Sequence, residues 1–416
     1  MNPSETLSVE VQYKQKSCFP EIESRVNNCL TKVFSPMENP PMYEVTKGKS
    51  KEEKRINTIY HSIECLSPRF TNGDPLPNNF HRERNIETIR RAVSENSQIP
   101  AVVVIGTLLD PSATFPEREE GGLLGALMVQ RLLEINQQVS RVHEPGLQIF
   151  IHADNFVSHY LFDHSSTSVL VEKSQTKYLE SIDNQISVLQ KVYKSNPIKL
   201  ITESEIYHSL GLSNKDYFDQ CDTNFVAFSQ YLAESEKIIA EEDYEENITK
   251  MSSYKNLQNL GWQGFIPIEM RDFFRSRIKG SHQNITDEEI DKQLARWFAT
   301  TLTKAQKKTV DLAVNNKPHI RLSFVKTAPG VSKEFQRAIG LNAHPRTDTY
   351  SDERKILPWR GRAYIQSSQL LSDKTRLKIL PTYVDFSKDS LETREIVSSS
   401  LLINNKHISD FWVSVI

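Results

Sequence analysis

Two polar side chains stand at the end of an apolar run in the segment GLQIFIHAD. They are His152 and Asp154, two positions apart. Residues two apart in a strand lie on the same face, so an imidazole and a carboxylate at these positions could act on one substrate. Asp154 is equally compatible with a cap for the turn that follows at Asn155. A buried structural histidine is the favoured interpretation of His152 alone.

The histidines around this segment do not match a metal motif. Four of them fall within residues 143–164, at spacings of nine, seven and five. Neither a helical nor a zinc-finger ligand pattern has these spacings. The four cysteines of the chain are far apart and include no CxxC pair, which argues against a zinc cluster and against a disulfide framework. We therefore expect no metal centre.

A second group of candidates belongs to a predicted strand over residues 319–326. Arg321 and Ser323 share one face of that strand, and Lys333 follows a Pro-Gly turn. Several polar groups on one returning strand favour a catalytic or binding role.

Basic residues on a predicted helix are candidates for binding phosphate. Arg271 and Arg275 lie on this helix, which begins near Pro267 and ends at Gly280. Arginine suits phosphate because its planar guanidinium donates two parallel hydrogen bonds. An ordinary charged helix face is the favoured alternative for this cluster.

The segment LPWRGRAY holds another candidate binding group. Trp359 stands beside Arg360, and Arg362 follows two positions later. An aromatic ring next to two guanidinium groups suits an anionic substrate, and a solvated surface is the equally open alternative.

The elements that must position these residues start with a βαβ unit. Residues 101–105 are apolar on both alternating sets of positions, as expected of a central strand in a parallel sheet. From Glu117 the pattern becomes that of a helix with one apolar side. A turn at Pro145 and Gly146 then leads into the strand that ends at His152 and Asp154.

The same alternation continues with a third strand over 168–171, a helix over 175–194 and an extended segment over 198–201. It predicts an α/β fold with a Rossmann-like, doubly wound, mostly parallel sheet and a helical second part. Ligands of such sheets bind beyond the carboxyl ends of the strands, where Asp154 lies. Later strands are predicted at 362–366, 377–384 and 408–416.

Composition divides the chain into four predicted parts. Residues 1–65 form an N-terminal helical arm and linker, 66–222 the Rossmann-like part, 223–316 a helical part, and 317–416 strands that complete the catalytic domain. Within the first part, the prolines and the lysine and glutamate run of residues 36–58 predict a mobile connection.

Charge and motifs argue against several functional classes. Lys and Arg number 51 against 53 for Asp and Glu, so a net charge of -2 provides no field that recruits nucleic acid or an anionic membrane. Neither GxGxxG nor GxxxxGK[ST] occurs, so the usual nucleotide phosphate cradles are missing. The sequence begins without a secretory signal pattern and has no apolar stretch of membrane-spanning length, which predicts a cytoplasmic protein.

Several short segments, taken in order, resemble the isonitrile synthase family, which is related to enzymes of dityrosine and pyoverdine-type biosynthesis. Asp154 in EPGLQIFIHADNFV matches the family's aspartate, and Lys333 matches its lysine after the Arg-Leu-Ser strand. The matching segments span residues 100–365, and they are FPEREEGGLL, EPGLQIFIHADNFV, GWQGFIPIEMRDF, IRLSFV and LPWRG.

The resemblance implies an enzyme that converts the amine of an amino acid into an isocyanide. The amine condenses with the ketone of ribulose 5-phosphate, and eliminations then release phosphate, without a metal or redox cofactor. Asp154 would hold the amine or transfer a proton. Arg321 and Lys333 would bind phosphate or the amino-acid carboxylate, and Arg360 or Arg362 would assist.

Departures from the family pattern keep other hypotheses open. GTLLDPSATFPE lacks the family's lysine, Asn155 replaces a glycine, and Arg360 replaces the histidine after Pro-Trp. These changes motivate the hypothesis of a non-catalytic binding protein on an inactivated enzyme fold. A third hypothesis is an Fe(II)/2-oxoglutarate oxygenase, because His152-x-Asp154 and Arg321-x-Ser323 resemble its motifs. The third ligand, a histidine about ten residues before Arg321, is missing from residues 309–312.

The expected partners are small molecules, namely an amino acid and a pentose phosphate. A tailoring oxygenase acting on the product, and a second copy of the chain, are further partners compatible with the family chemistry.

Overall fold

The structure is a computed structural model of the 416-residue chain. It describes residues 7–14, 19, 21–36, 50–65, 82–106, 122–154, 168–211, 213, 275–276, 286–287, 309–323, 339–340, 365–367, 377–380 and 395–415. Two five-stranded sheets and the helices packed between and around them make up the described part.

The first sheet is parallel and confirms the α/β class. Its order is β4-β3-β2-β5-β6, and every neighbouring pair runs parallel. Both strands of the predicted βαβ unit, β2 and β3, lie in its centre, because their apolar residues on both faces can be buried only with cover on both sides. The five strands are β2 (Ile99–Gly106), β3 (Leu147–Asp154), β4 (Ile198–Thr202), β5 (Ile320–Ser323) and β6 (Ile339–Gly340).

One face of the parallel sheet is covered by two long helices. These are α4 (Leu123–Val142) and α5 (Ser168–Tyr193), which pack on the face that carries Ala101, Val103 and Ile151. The sequence predicts one apolar side for α4, whereas the helix is buried around almost its whole circumference. The reason is that the second sheet packs against α4 and α5 from the other side, within the same apolar core.

The opposite face is covered by shorter helical pieces. Val102 of β2 and Phe150 of β3 pack there against Ile206 and Val310. Ile206 belongs to α6 (Glu203–Ser209), which follows β4 directly, and Val310 to a helical segment over 309–313. Helices thus lie on both faces of the parallel sheet in the described residues.

The second sheet is antiparallel and joins the two ends of the chain. Its order is β1-β9-β10-β8-β7, and Val9 of β1 pairs with Ile403 of β9. A two-residue turn at Asn404 and Asn405, with φ of 50° and 60°, connects β9 to β10, and such left-handed turns match the twist of a hairpin. The strands are β1 (Val9–Tyr13), β7 (Ile365–Ser367), β8 (Leu377–Leu380), β9 (Glu395–Ile403) and β10 (Lys406–Val415).

Three helices precede β2 in the described residues, α1 (Ile22–Phe34), α2 (Lys51–Cys65) and α3 (Arg82–Ser94). The predicted mobile connection over 36–58 is wrong for residues 51–58, because they belong to α2, whose Ile56 is buried. The Ser50 hydroxyl accepts a hydrogen bond from the Glu53 backbone N–H at 3.0 Å and caps the helix. The predicted helical arm also contains the strand β1.

A further correction concerns residues 168–171, which were predicted to form a strand. They form the first turn of α5. A run of four apolar or small residues cannot distinguish a strand from a buried helical turn, and here it continues into a helical pattern. The predicted start of α4 at Glu117 lies outside the described residues.

No helix within the described ranges has the length and apolar composition that crossing a bilayer requires. The four predicted parts of the chain stay predictions, and so does the doubly wound, Rossmann-like arrangement as a whole.

Candidate functional site

The carboxyl edge of the parallel sheet brings the first sequence candidates together. The chain runs outward from β2 to β3 and β4, then returns to the other side of β2 with β5 and β6. Ligands of open parallel sheets bind at such a reversal of strand order. Asp154 ends β3 beside Gly106 of β2, and Ser323 ends β5 on the other side of β2.

Register places four candidate positions on one face. Val102 of β2 pairs with Phe150 of β3 and with Arg321 of β5. Positions alternate between faces along a strand, so positions 152 and 154 share this face with 321 and 323. It is the face covered by α6 and the 309–313 segment, opposite to α4 and α5.

A chain of buried polar side chains lies on this face. His152 Nε2 is 2.9 Å from Thr309 Oγ1, and the Thr309 hydroxyl donates a hydrogen bond to Glu203 Oε1 at 3.3 Å. His152, Thr309 and Glu203 are all completely buried. Elements far apart in sequence supply them, because Glu203 begins α6 just beyond the carboxyl end of β4 and Thr309 lies in the helical segment before β5.

The hydrogen bonds determine which nitrogen of His152 carries the proton. In this arrangement the Thr309 hydroxyl donates its proton to Glu203, and the matching assignment has it accept from His152. The Nε2 of His152 is therefore the protonated nitrogen, and Nδ1 presents a lone pair. Nδ1 is buried and has no hydrogen-bond partner among the described residues. A buried polar atom left in this state costs about 1–3 kcal/mol.

Burial and charge both keep His152 neutral. Desolvation lowers its pKa from 6.5 to about 3, with a further lowering by the nearby Arg321 guanidinium and an opposing contribution from its own backbone. Arg321 itself is only 7% exposed. The face thus holds a neutral imidazole and, on the far side of β2, a buried cation whose charge lowers the pKa of that imidazole.

The other buried histidine of the β2–β3 unit, His143, has both ring nitrogens engaged. Its Nδ1 lies 3.0 Å from Arg55 Nη2, and its Nε2 lies 2.7 Å from the Ser97 carbonyl oxygen. Burial lowers the pKa of His143, the Ser97 carbonyl opposes this, and Arg55 adds to it. His143 follows the end of α4 and ties it to α2 near the amino ends of the strands, which is a structural role.

A shallow cleft of about 220 Å³ opens at that amino edge. Its lining includes Arg91, which pairs with Glu95 at 2.9 Å, and Lys317, which precedes β5. Every parallel strand of the sheet points away from this cleft.

The predicted site residues fall into three groups. Arg321 is buried on the same face as His152, with β2 between their strands, and Asp154 and Ser323 are placed by their strand ends. Arg275 is helical and half-buried, with no described contact to this face. The others lie outside the described residues and stay predictions, namely Arg271, Lys333, Trp359, Arg360 and Arg362. In the described ranges, no three His, Cys, Asp or Glu side chains cluster as metal ligands would.

Two residues of the buried hydrogen-bonded series, Glu203 and Thr309, are not predicted from the sequence. Glu203 carried a usable signal, because it follows the carboxyl end of a parallel strand, where site residues concentrate. Thr309 carried none, because its contact with His152 joins residues 157 positions apart.

Comparisons with known proteins find distant structural likeness and no match in sequence. No family model and no curated protein sequence matches the chain. Among solved structures, the crystal structure of the PvcA protein from Pseudomonas aeruginosa is similar, with a TM-score of 0.43 and 10% sequence identity, over 86% of this chain and 99% of that one. The likeness is remote.

Proposed function

We propose that the chain is an isonitrile synthase-like enzyme that converts the amine of an amino acid into an isocyanide with ribulose 5-phosphate as co-substrate. The ordered sequence resemblance over residues 100–365 motivates the proposal. The structural observation that carries it is the register, which puts positions 154 and 321 on one face of the sheet, on either side of β2. The doubly wound, Rossmann-like arrangement belongs to the same proposal.

The chemistry requires a grip on phosphate, a group that handles protons near the imine, and water exclusion. Arg321 supplies a buried guanidinium that suits phosphate or carboxylate. Asp154 would hold the amine or transfer its proton at the end of β3. Lys333 and Ser323 would complete the anion site.

Other predicted residues would extend this site. Arg271 and Arg275 would contribute phosphate contacts, and Trp359, Arg360 and Arg362 would line the substrate pocket. The chemistry proposed needs no metal or redox cofactor. A cytoplasmic location, a tailoring oxygenase partner and self-association are parts of the same proposal.

One observation weighs against the oxygenase hypothesis. Oxygenases with the HxD and RxS motifs are built on an antiparallel double-stranded β-helix, whereas His152 and Arg321 lie in a parallel sheet. Turnover of substrate distinguishes the enzymatic proposal from the hypothesis of a non-catalytic binding protein.

The proposal is tested by incubating the purified full chain with an amino-acid pool and ribulose 5-phosphate carrying carbon-13 at its ketone carbon. Because the amine condenses with that carbon, we expect mass spectrometry to find an isocyanide that contains the label, together with released phosphate. Binding of both compounds without product would indicate the non-catalytic hypothesis. No product with any amino acid would contradict the proposed activity.

Two matched arginine-to-lysine variants test where the site lies, one on the candidate face and one at the amino edge of the sheet. Arg321→Lys keeps the charge but loses the planar fork, so we expect kcat/KM to fall by roughly tenfold or more, as for a lost charge-assisted hydrogen bond. Arg91→Lys changes an exposed residue of the amino-edge cleft and should leave kcat/KM unchanged. Melting temperatures check that both variants are folded. Equal effects of the two changes would contradict a site at the carboxyl edge.

A further inference from the structure

The hydroxyl group of Thr309 joins two parts of the candidate site that the chain supplies separately. Its oxygen lies 2.9 Å from His152 Nε2, and it donates to Glu203 Oε1 at 3.3 Å. His152 belongs to β3 and Glu203 begins α6 after β4, whereas Thr309 begins the helical segment that leads into β5. One completely buried hydroxyl therefore connects the β3–β4 side of the sheet to the segment that precedes β5.

The segment between Thr309 and β5 is short and internally hydrogen-bonded. The backbone N–H of Val314 donates to the Val310 carbonyl at 3.2 Å. Asn315 and Asn316 then turn the chain with φ of 53° and 55°, a left-handed conformation that commonly ends a helix. The strand β5 follows almost at once. We therefore expect a displacement of Thr309 to move β5 as well.

Apolar packing alone does not set the position of this segment. Val310 and Val314 pack with Val102 and Phe150 on the covered face, and hydrophobic attraction has no preferred direction. A hydrogen bond, by contrast, has a preferred length and angle. Thr309 has one such bond to each of two elements, so its hydroxyl fixes where the segment lies on the face.

We propose that Thr309 is a positioning residue for the reaction, whose hydroxyl fixes the spacing between the β3 side of the site and the β5 side. Asp154 ends β3 two residues after His152, and Ser323 ends β5. The inference rests on the proposed function and deepens it. Thr309 acts through the two strands and contacts neither substrate.

Positioning across two sides has a different kinetic signature from binding. In the proposed reaction, Asp154 on the β3 side would hold the amine, and the β5 side would hold the anionic co-substrate. A change of spacing leaves the contacts within each side intact but moves the amine away from the ketone carbon. Misplacement by 1 Å lowers a rate by about 10²-fold. We therefore expect loss of the hydroxyl to lower kcat and to leave KM for both substrates nearly unchanged.

Three substitutions of Thr309 separate the hydroxyl from the volume of the side chain. Thr309→Val keeps the shape and loses the hydroxyl, and Thr309→Ser keeps the hydroxyl and loses a methyl group. Thr309→Cys replaces the hydroxyl by a thiol, which is a weak donor. The matched controls are Thr88→Val and Thr88→Ser in α3. Thr88 is also buried, its hydroxyl donates to the Arg84 carbonyl at 3.0 Å, and it lines the amino-edge cleft.

The experiment measures kcat and KM for ribulose 5-phosphate and for the amino acid that gives most product, below the melting temperature of every variant. For Thr309→Val we expect kcat to fall by about tenfold or more, with both KM values within about twofold of those of the unsubstituted chain. Thr309→Ser should restore most of kcat, and Thr309→Cys should lie between the two. Thr88→Val should lower the melting temperature without lowering kcat. If Thr309→Val does not fold, the ratio of kcat between Thr309→Ser and Thr309→Cys provides the same comparison.

The outcomes distinguish this inference from the proposed function. An unchanged kcat in Thr309→Val, with only a lower melting temperature, overturns the inference and leaves the enzymatic proposal standing. A higher KM with unchanged kcat overturns it too, because the hydroxyl then contributes to binding. Equal losses of kcat in Thr309→Ser and Thr309→Val, or in Thr88→Val and Thr309→Val, would also contradict it. If the unsubstituted chain has no turnover, both the inference and the enzymatic proposal fail.

Discussion

The two edges of the parallel sheet each hold a buried histidine, and the two histidines are used in different ways. At the amino edge, His143 has Arg55 on one nitrogen and the Ser97 carbonyl on the other. Toward the carboxyl edge, His152 has Thr309 on one nitrogen and leaves the other without a described partner. Both side chains are completely buried, so the two histidines differ in their hydrogen bonds and not in their burial.

The two histidines differ in how many of their hydrogen bonds the protein itself supplies. A fully paired histidine such as His143 contributes to stability, because removing it leaves its partners unpaired. A half-paired one such as His152 keeps a buried polar atom without a described partner, and such an atom costs stability. Strained or unsatisfied groups concentrate at functional sites for this reason.

The largest expected effect is on stability. His143→Leu removes both hydrogen bonds, so Arg55 Nη2 and the Ser97 carbonyl lose their histidine partner while Arg55 Nε keeps its bond to the Val142 carbonyl. We expect the free energy of unfolding to fall by about 2–4 kcal/mol. His152→Leu removes an unpaired nitrogen along with its one bond, and Thr309 still donates to Glu203, so the loss should be about 1 kcal/mol. Urea unfolding at pH 7.5 measures both. A larger loss for His152→Leu would contradict the contrast between the two edges.

A smaller effect should appear in the pH dependence of stability. The pKa of His152 is about 3 in the folded chain and 6.5 in the unfolded chain, so between these values the unfolded state binds the extra proton. Stability therefore falls as the pH falls from about 6.5 toward 3, by up to about 1.4 kcal/mol per pH unit for one proton. His152→Leu should make this slope shallower by part of that amount.

The measurement is the urea unfolding free energy at several pH values between 4 and 7.5, for the unsubstituted chain and the variant. Since the pKa of His143 is also lowered by burial, some slope should remain in His152→Leu. Identical slopes would mean that His152 takes up no proton on unfolding in this range, and its assignment as a neutral buried acceptor would then be wrong.

Much of the parallel sheet was predictable because its central strands carry their signal locally. The uninterrupted apolar run of β2 and the turn at Pro145 and Gly146 are explained by burial on both faces and by backbone geometry. The antiparallel sheet was harder to predict. The alternation in VEVQY for β1 and the Asn404–Asn405 turn are local signals, yet the pairing of β1 with β9 joins opposite ends of the chain.

The candidate site was predictable only in part, for a similar reason. Position at strand ends identified Asp154 and Ser323, and alternation along a strand joined Arg321 to Ser323. The partnership of His152 with Thr309 and Glu203 depends on packing between elements far apart in sequence. A sequence shows which residues can form hydrogen bonds, whereas the fold determines which nitrogen of a histidine has a partner and which has none.

The most direct test is a nitrogen-15 spectrum of the labelled histidine side chains, recorded before and after adding ribulose 5-phosphate. Resonances are assigned with the His143→Gln and His152→Gln variants. We predict that His152 in the free protein carries its proton on Nε2 and that the ligand shifts its Nδ1 resonance while both nitrogens of His143 stay unchanged. A proton on Nδ1 of His152 would contradict the hydrogen-bond assignment at Thr309. A ligand response at His143 with none at His152 would contradict a binding site at the carboxyl edge.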